Sequence, residues 1–74
     1  MKSITLSLET AQKVKEFVNV TQAFPCEILL KSGKYVVDAK SILGIFSLDL
    51  SKPVTAELYT DDGDEIIEQM KKFS

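Results

Sequence analysis

Lys40-Ser41-Ile42-Leu43-Gly44-Ile45-Phe46-Ser47-Leu48 is the stretch on which the reading of this 74-residue chain turns. Ser41 carries a hydroxyl where a helix N-cap belongs, able to accept from the first free backbone N–H groups, so a short helix is expected over Ile42–Leu48. Gly44 weakens that helix, which points to close packing or to modest local stability. With Leu50, the side chains of Ile42, Leu43, Ile45, Phe46 and Leu48 are apolar nearly all round the helix and its exit. A short helix at the rim of a small domain cannot easily bury them all. Either it is sunk in the core, or part of it is an exposed apolar patch that meets a partner.

Upstream lies a hairpin pattern. Cys26–Lys31 and Lys34–Ala39 are β-prone runs separated by Ser32-Gly33, a turn signal. Ile28 and Leu30, then Tyr35 and Val37, are the expected core-facing sets, although Leu29 and Val36 break the alternation. Further back, Ile4, Leu6 and Leu8 alternate with polar residues as a half-buried strand. From Ala11 the period becomes helical: Val14, Phe17, Val18 and Thr21 share a face, Thr10 stands at the N-cap, and Pro25 closes the region. Downstream, Lys52-Pro53 marks a loop and Val54–Thr60 a fourth strand. Asp61-Asp62-Gly63-Asp64 turns into a last helix with Ile66, Ile67, Met70 and Phe73 on one face. Its acids complement the helix dipole, and Glu68 with Lys72 is a favourable i,i+4 pair. The order is β-α-β-β-α-β-α. Four strands with helices on one face make an α+β open-faced sandwich, a single domain over residues 1–74.

Composition narrows the chemistry. Surface scaling gives roughly 4,500 Å² exposed when folded, enough burial for a core without staples. Lys plus Arg is 9 and Asp plus Glu is 11, a net charge of −2 with no basic footprint for nucleic acid. Histidine is absent altogether, which excludes imidazole general-base catalysis, imidazole metal ligation and phosphohistidine chemistry. The lone Cys26 has no histidine to activate it, reads as a small hydrophobe on a strand, and fits a reducing cytoplasm. No signal-peptide core and no 20-residue apolar run is present, so no membrane contact is expected. Asp61, Asp62, Asp64 and Glu65 lack the spacing of a calcium loop. No Gly-rich phosphate loop or nucleophile elbow occurs. No enzyme, metal or cofactor is expected.

The stretch quoted first resembles Lys-Ser-Ile-Met-Gly-Val-Met-Ser-Leu of HPr, the phosphocarrier family of the bacterial sugar phosphotransferase system, and the order of elements agrees along the whole chain. The resemblance implies three helices on one face of a four-stranded antiparallel sheet. It also implies a departure. Where the family has Gly-Ile-His-Ala-Arg-Pro-Ala, an ungapped alignment places Leu8-Glu9-Thr10-Ala11-Gln12-Lys13-Val14. Thr10 then falls at the phosphorylated histidine and Gln12 at the arginine, so no catalytic residue carries over. A threonine phosphate ester is not passed on in a relay as a phosphoramidate is, and losing the arginine removes a bidentate anion partner. Ser41 matches a serine that an ATP-dependent kinase phosphorylates in many Gram-positive members; a phosphate there would add about −1.5 to −2 charge beside the apolar patch. The expectation is a monomeric, cytoplasmic, non-relay binding module. Its Ile42, Leu43, Ile45, Phe46 and Leu48 would meet a protein partner, either a phosphotransferase-system enzyme or a regulator that binds HPr. The alternative is a regulatory phosphoacceptor switched at Ser41.

Overall fold

Alternation in Lys2–Leu6 makes the first strand, β1, whose Leu6 faces inward while Ser3 and Thr5 face solvent. The computed structural model describes all 74 residues. After β1 come α1 (Ala11–Gln22), β2 (Glu27–Ser32), β3 (Tyr35–Asp38), α2 (Ile42–Phe46), β4 (Val54–Tyr59) and α3 (Asp64–Met70), which tightens into a single 3₁₀ turn over Lys71–Phe73. The sheet order is β1-β4-β2-β3 and every pairing is antiparallel. The folded chain exposes 4461 Å², close to the value expected from its mass.

Register explains which face is buried. Ile4, Ala56, Leu30 and Val37 form one row across all four strands, and Ile28 lies opposite Leu58. These residues point to the helices, because side chains of one parity share a face. From α1, Val14, Phe17 and Val18 complete that layer, with Ile66, Met70 and Phe73 from the C-terminal end. Phe17 and Phe73 meet edge to face, centroids 5.7 Å apart, a favoured aromatic geometry. The Ser7 N–H donates to the Phe73 carbonyl at 2.7 Å, tying the C-terminus to the junction of β1 and α1.

Three expectations are corrected. Tyr35 is on the helix-facing side with Val37, yet it is 71% exposed; it pairs with Ser32 at the hairpin end, beyond the cover of the helices. The helix after Ser41 ends at Phe46 rather than Leu48. Glu68 pairs with Lys71 at 3.0 Å, not with Lys72. The 3₁₀ turn, with three residues per turn, brings the i+3 residue over Glu68 and leaves the Lys72 amine 5.2 Å from the Phe73 ring. The Gly33-Lys34 loop joins β2 to β3, with Gly33 at φ +59°, a conformation that costs glycine little.

The uncovered face of the sheet sets charged and polar side chains around Leu29 and Val36. Lys31 on β2 bridges to Glu57 on β4 at 3.1 Å, and the Tyr59 hydroxyl donates to Glu57 at 2.9 Å. The bond from Lys31 first, and then that from Tyr59, holds the Glu57 carboxyl below the ordinary glutamate range. A depressed acid contributes stability above its unfolded pKa and loses it as pH falls through the folded one. Melting temperature is therefore expected to drop as pH falls from neutral through and below the glutamate range. Lys31→Gln should make that pH dependence shallower; identical slopes in the two proteins would remove this pair as its source.

Candidate functional site

Two places on the chain bear on function. The first is the corner where β1 meets α1. Thr10 has extended backbone, φ −120° and ψ 154°, and its hydroxyl oxygen accepts from the Lys13 N–H at 3.1 Å. That is an N-cap, holding one of the backbone donors that a helix start leaves free. The neighbouring groups are engaged with each other: the Ser7 hydroxyl donates to Glu9 at 2.8 Å, and the Gln12 amide donates to Glu16 at 3.2 Å. Thr10, Gln12 and Lys13 are all exposed. The corner holds carboxylates, hydroxyls, an amide and an amine but no imidazole. Thr10→Ala is expected to cost about 1 kcal/mol of stability through the lost cap, readable as a lower urea midpoint at unchanged slope; Thr10→Asn, which can cap equally well, should restore it.

The second place is α2. Ser41 caps it, its oxygen accepting from the Gly44 N–H at 3.2 Å. The helix lies close against β3 because position 44 is glycine: a Cβ there would come 3.2 Å from Ser41 Oγ and 3.4 Å from Val37 Cβ. Lys40 braces the entry from below, its amine donating to the Phe24 carbonyl at 2.7 Å. The Thr21 hydroxyl donates to the Val18 carbonyl at 2.8 Å and lies 3.3 Å from the Ala39 carbonyl. These contacts join the approach to α2 to the end of α1.

The α2 stretch divides by face. Ile45 is completely buried and Leu48 is 7% exposed, both within the main apolar cluster. They are not available to a partner, which corrects their assignment to a contact surface. At helical spacing, position 45 falls opposite the outward turn of 43 and 46 and so points at the sheet. Ile42 is half-buried, whereas Leu43 is 81% and Phe46 45% exposed. Leu43 and Phe46 are three residues apart and so neighbours on the outer surface. Tyr35 and Val36 on the adjoining β3 are also exposed, but on opposite sides of the sheet: Val36 pairs with Lys31 on the uncovered face, away from α2.

A small antiparallel sheet roofed on one side by helices, with a capped helix start at one corner and a short apolar helix beside it, makes an open-faced sandwich. The model of the PTS HPr component phosphorylation site matches residues 8–74, and the chain belongs to the HPr family. A crystal structure of HPr-C-His from Thermoanaerobacter tengcongensis is 29% identical, with 97% of this chain and 89% of that one covered and a TM-score of 0.83. The phosphocarrier protein HPr of Bacillus anthracis str. Ames is 26% identical, with 99% and 94% covered and a TM-score of 0.80. No match was found among curated proteins. HPr proteins are phosphocarriers rather than enzymes in their own right, and they work with other proteins of the phosphotransferase system. No helix is long and apolar enough to cross a membrane.

Proposed function

We propose that this HPr-family chain acts in the cytoplasm as a monomeric protein-binding module and does not relay phosphoryl groups through histidine. The observation that carries the binding reading is the pair Leu43 and Phe46, exposed together on a helix whose inner side is anchored by Ile45. Exposed apolar side chains clustered on one face favour a protein partner, because covering them removes apolar surface from water. The partner is a phosphotransferase-system enzyme or a regulator that recognises HPr. Against relay stands the lack of any histidine. Counted without gaps from the Ser41 motif, Thr10 would stand at the histidine's place and Gln12 at the arginine's. The Thr10 oxygen serves the helix start, and its phosphate ester would be too stable to hand on.

Incubation with the general phosphotransferase enzyme and phosphoenolpyruvate should leave the chain without acid-labile label; such label on this protein overturns the non-relay reading. Binding to the same enzyme, followed by calorimetry, should weaken by at least about 30-fold in Phe46→Glu, the range of a hot-spot loss of about 2 kcal/mol. Circular dichroism should show that this variant keeps its fold. Unchanged affinity moves the contact to another face.

A second reading follows from Ser41, which is exposed and whose hydroxyl accepts a hydrogen bond but donates none. An ATP-dependent kinase acting there would place a dianion beside Leu43 and alter docking through charge. Mass spectrometry of protein from its native cells decides it: a consistently unmodified Ser41 counts against the switch.

A further inference from the structure

An open cleft of about 530 Å³ lies between the β2–β3 loop and the segment that leads from α2 to β4, away from the Thr10 corner. Ser32, Lys34 and Tyr35 line one side; Ser47, Asp49 and Lys52 line the other. Its size is within the range of small-molecule sites. Its charge runs against the chain as a whole. The protein carries −2, yet two of these side chains are cations and one is an anion. Neither Lys34 nor Lys52 has a carboxylate within 4 Å; the ion pairs of the protein use Lys2, Lys31 and Lys71 instead.

The remaining polar groups have defined hydrogen-bonding capacity. Asp49 is held in place, its Oδ1 accepting from both the Ser51 hydroxyl at 2.6 Å and the Ser51 N–H at 3.2 Å. Those bonds, and after them the charge of Lys52 nearby, keep its carboxyl below the ordinary range, so it stays ionised and acceptor-only, with Oδ2 free of protein donors. The Ser47 hydroxyl gives its proton to the Gly44 carbonyl at 2.6 Å, which leaves its oxygen as an acceptor. Ser32 makes no side-chain bond and can donate. Tyr35 presents an exposed ring at the mouth. The cleft therefore offers two cations and a hydroxyl donor for an anionic group, two acceptors for hydroxyl groups, and an aromatic surface for a ligand's C–H face.

We propose that this cleft binds a small phosphate monoester of a polyol, its phosphate between Lys34 and Lys52 and its hydroxyls toward Asp49 and Ser47. A bare anion would use only the lysines and would meet the Asp49 charge without a hydrogen bond to offset it. A neutral polyol would leave both cations unmatched. The site is open and has a single ring as apolar wall, so affinity in the millimolar range is expected rather than the tight binding of an enclosed pocket.

The test is a titration of ¹⁵N-labelled protein, followed by amide shifts, with glycerol 3-phosphate, inorganic phosphate and glycerol as separate probes. Saturable shifts confined to positions 32–35 and 47–52 are expected for glycerol 3-phosphate, weaker binding for inorganic phosphate and none for glycerol. Lys34→Gln and Lys52→Gln should each weaken glycerol 3-phosphate binding about tenfold, the scale of one charge-assisted hydrogen bond, whereas Lys15→Gln, at an exposed position on α1, should not. Asp49→Asn separates the roles: it should strengthen inorganic phosphate relative to the ester. Shifts spread over all lysines, equal affinity for phosphate and ester, or full affinity in both lysine variants would each overturn the proposal. Lys34 and Lys52 are exposed, so their variants keep the fold on which the measurement depends.

Discussion

Phe17→Ala is expected to lower the unfolding free energy by about 3–5 kcal/mol, the cost of deleting a buried ring and leaving a cavity. Phe17 has no exposed surface and stands against Phe73 at 84° between ring planes, so the change removes both its own burial and the edge-to-face contact. The stability at risk is small. A chain of 74 residues has about 4–11 kcal/mol in all, so this one substitution brings the protein near or past its unfolding midpoint at room temperature. Urea unfolding at 25 °C measures it. Phe17→Leu, which keeps most of the volume, should lose clearly less; equal losses in the two variants would show that the cavity is not the cause.

The second large effect concerns Ile45. Ile45→Ala is expected to cost about 2–5 kcal/mol, whereas Leu43→Ala, two residues away, should stay within about 0.5 kcal/mol of the parent. Ile45 is fully buried beneath α2 and Leu43 is 81% exposed. This contrast separates two ways of losing a partner. A variant at Ile45 loses binding because α2 loses its seat, and its melting temperature falls with it. A variant at Leu43 or Phe46 loses binding at unchanged melting temperature. Similar stability losses at 43 and 45 would mean that α2 does not rest on the sheet through Ile45.

Much of the fold could be read along the chain. Thr10 and Ser41 stand as N-caps in the structure, as their hydroxyls before helical periods implied. Ile28 and Leu30 are core, and the α1 face of Val14, Phe17, Val18 and Thr21 is buried as spaced. Reading was weaker wherever both faces of an element are apolar, since period then carries no direction. Ile42–Leu48 is that case: its apolar residues could not be sorted into inner and outer by type alone. Tyr35 failed for a related reason, because alternation tells which side a residue takes but not how far the covering helices reach.

The sequence by itself determined the element order, the caps, the main core faces and the lack of any histidine, because these depend on local backbone chemistry, side-chain period and composition. Tertiary structure alone decided which α2 residues are free. Position 44, held to hydrogen, lets the helix settle onto Val37, and that contact turns Ile45 and Leu48 inward while Leu43 and Phe46 stay outside. It also decided that Lys34 and Lys52, eighteen positions apart, share one cleft. Such neighbours are made by long-range strand pairing, which no local pattern encodes.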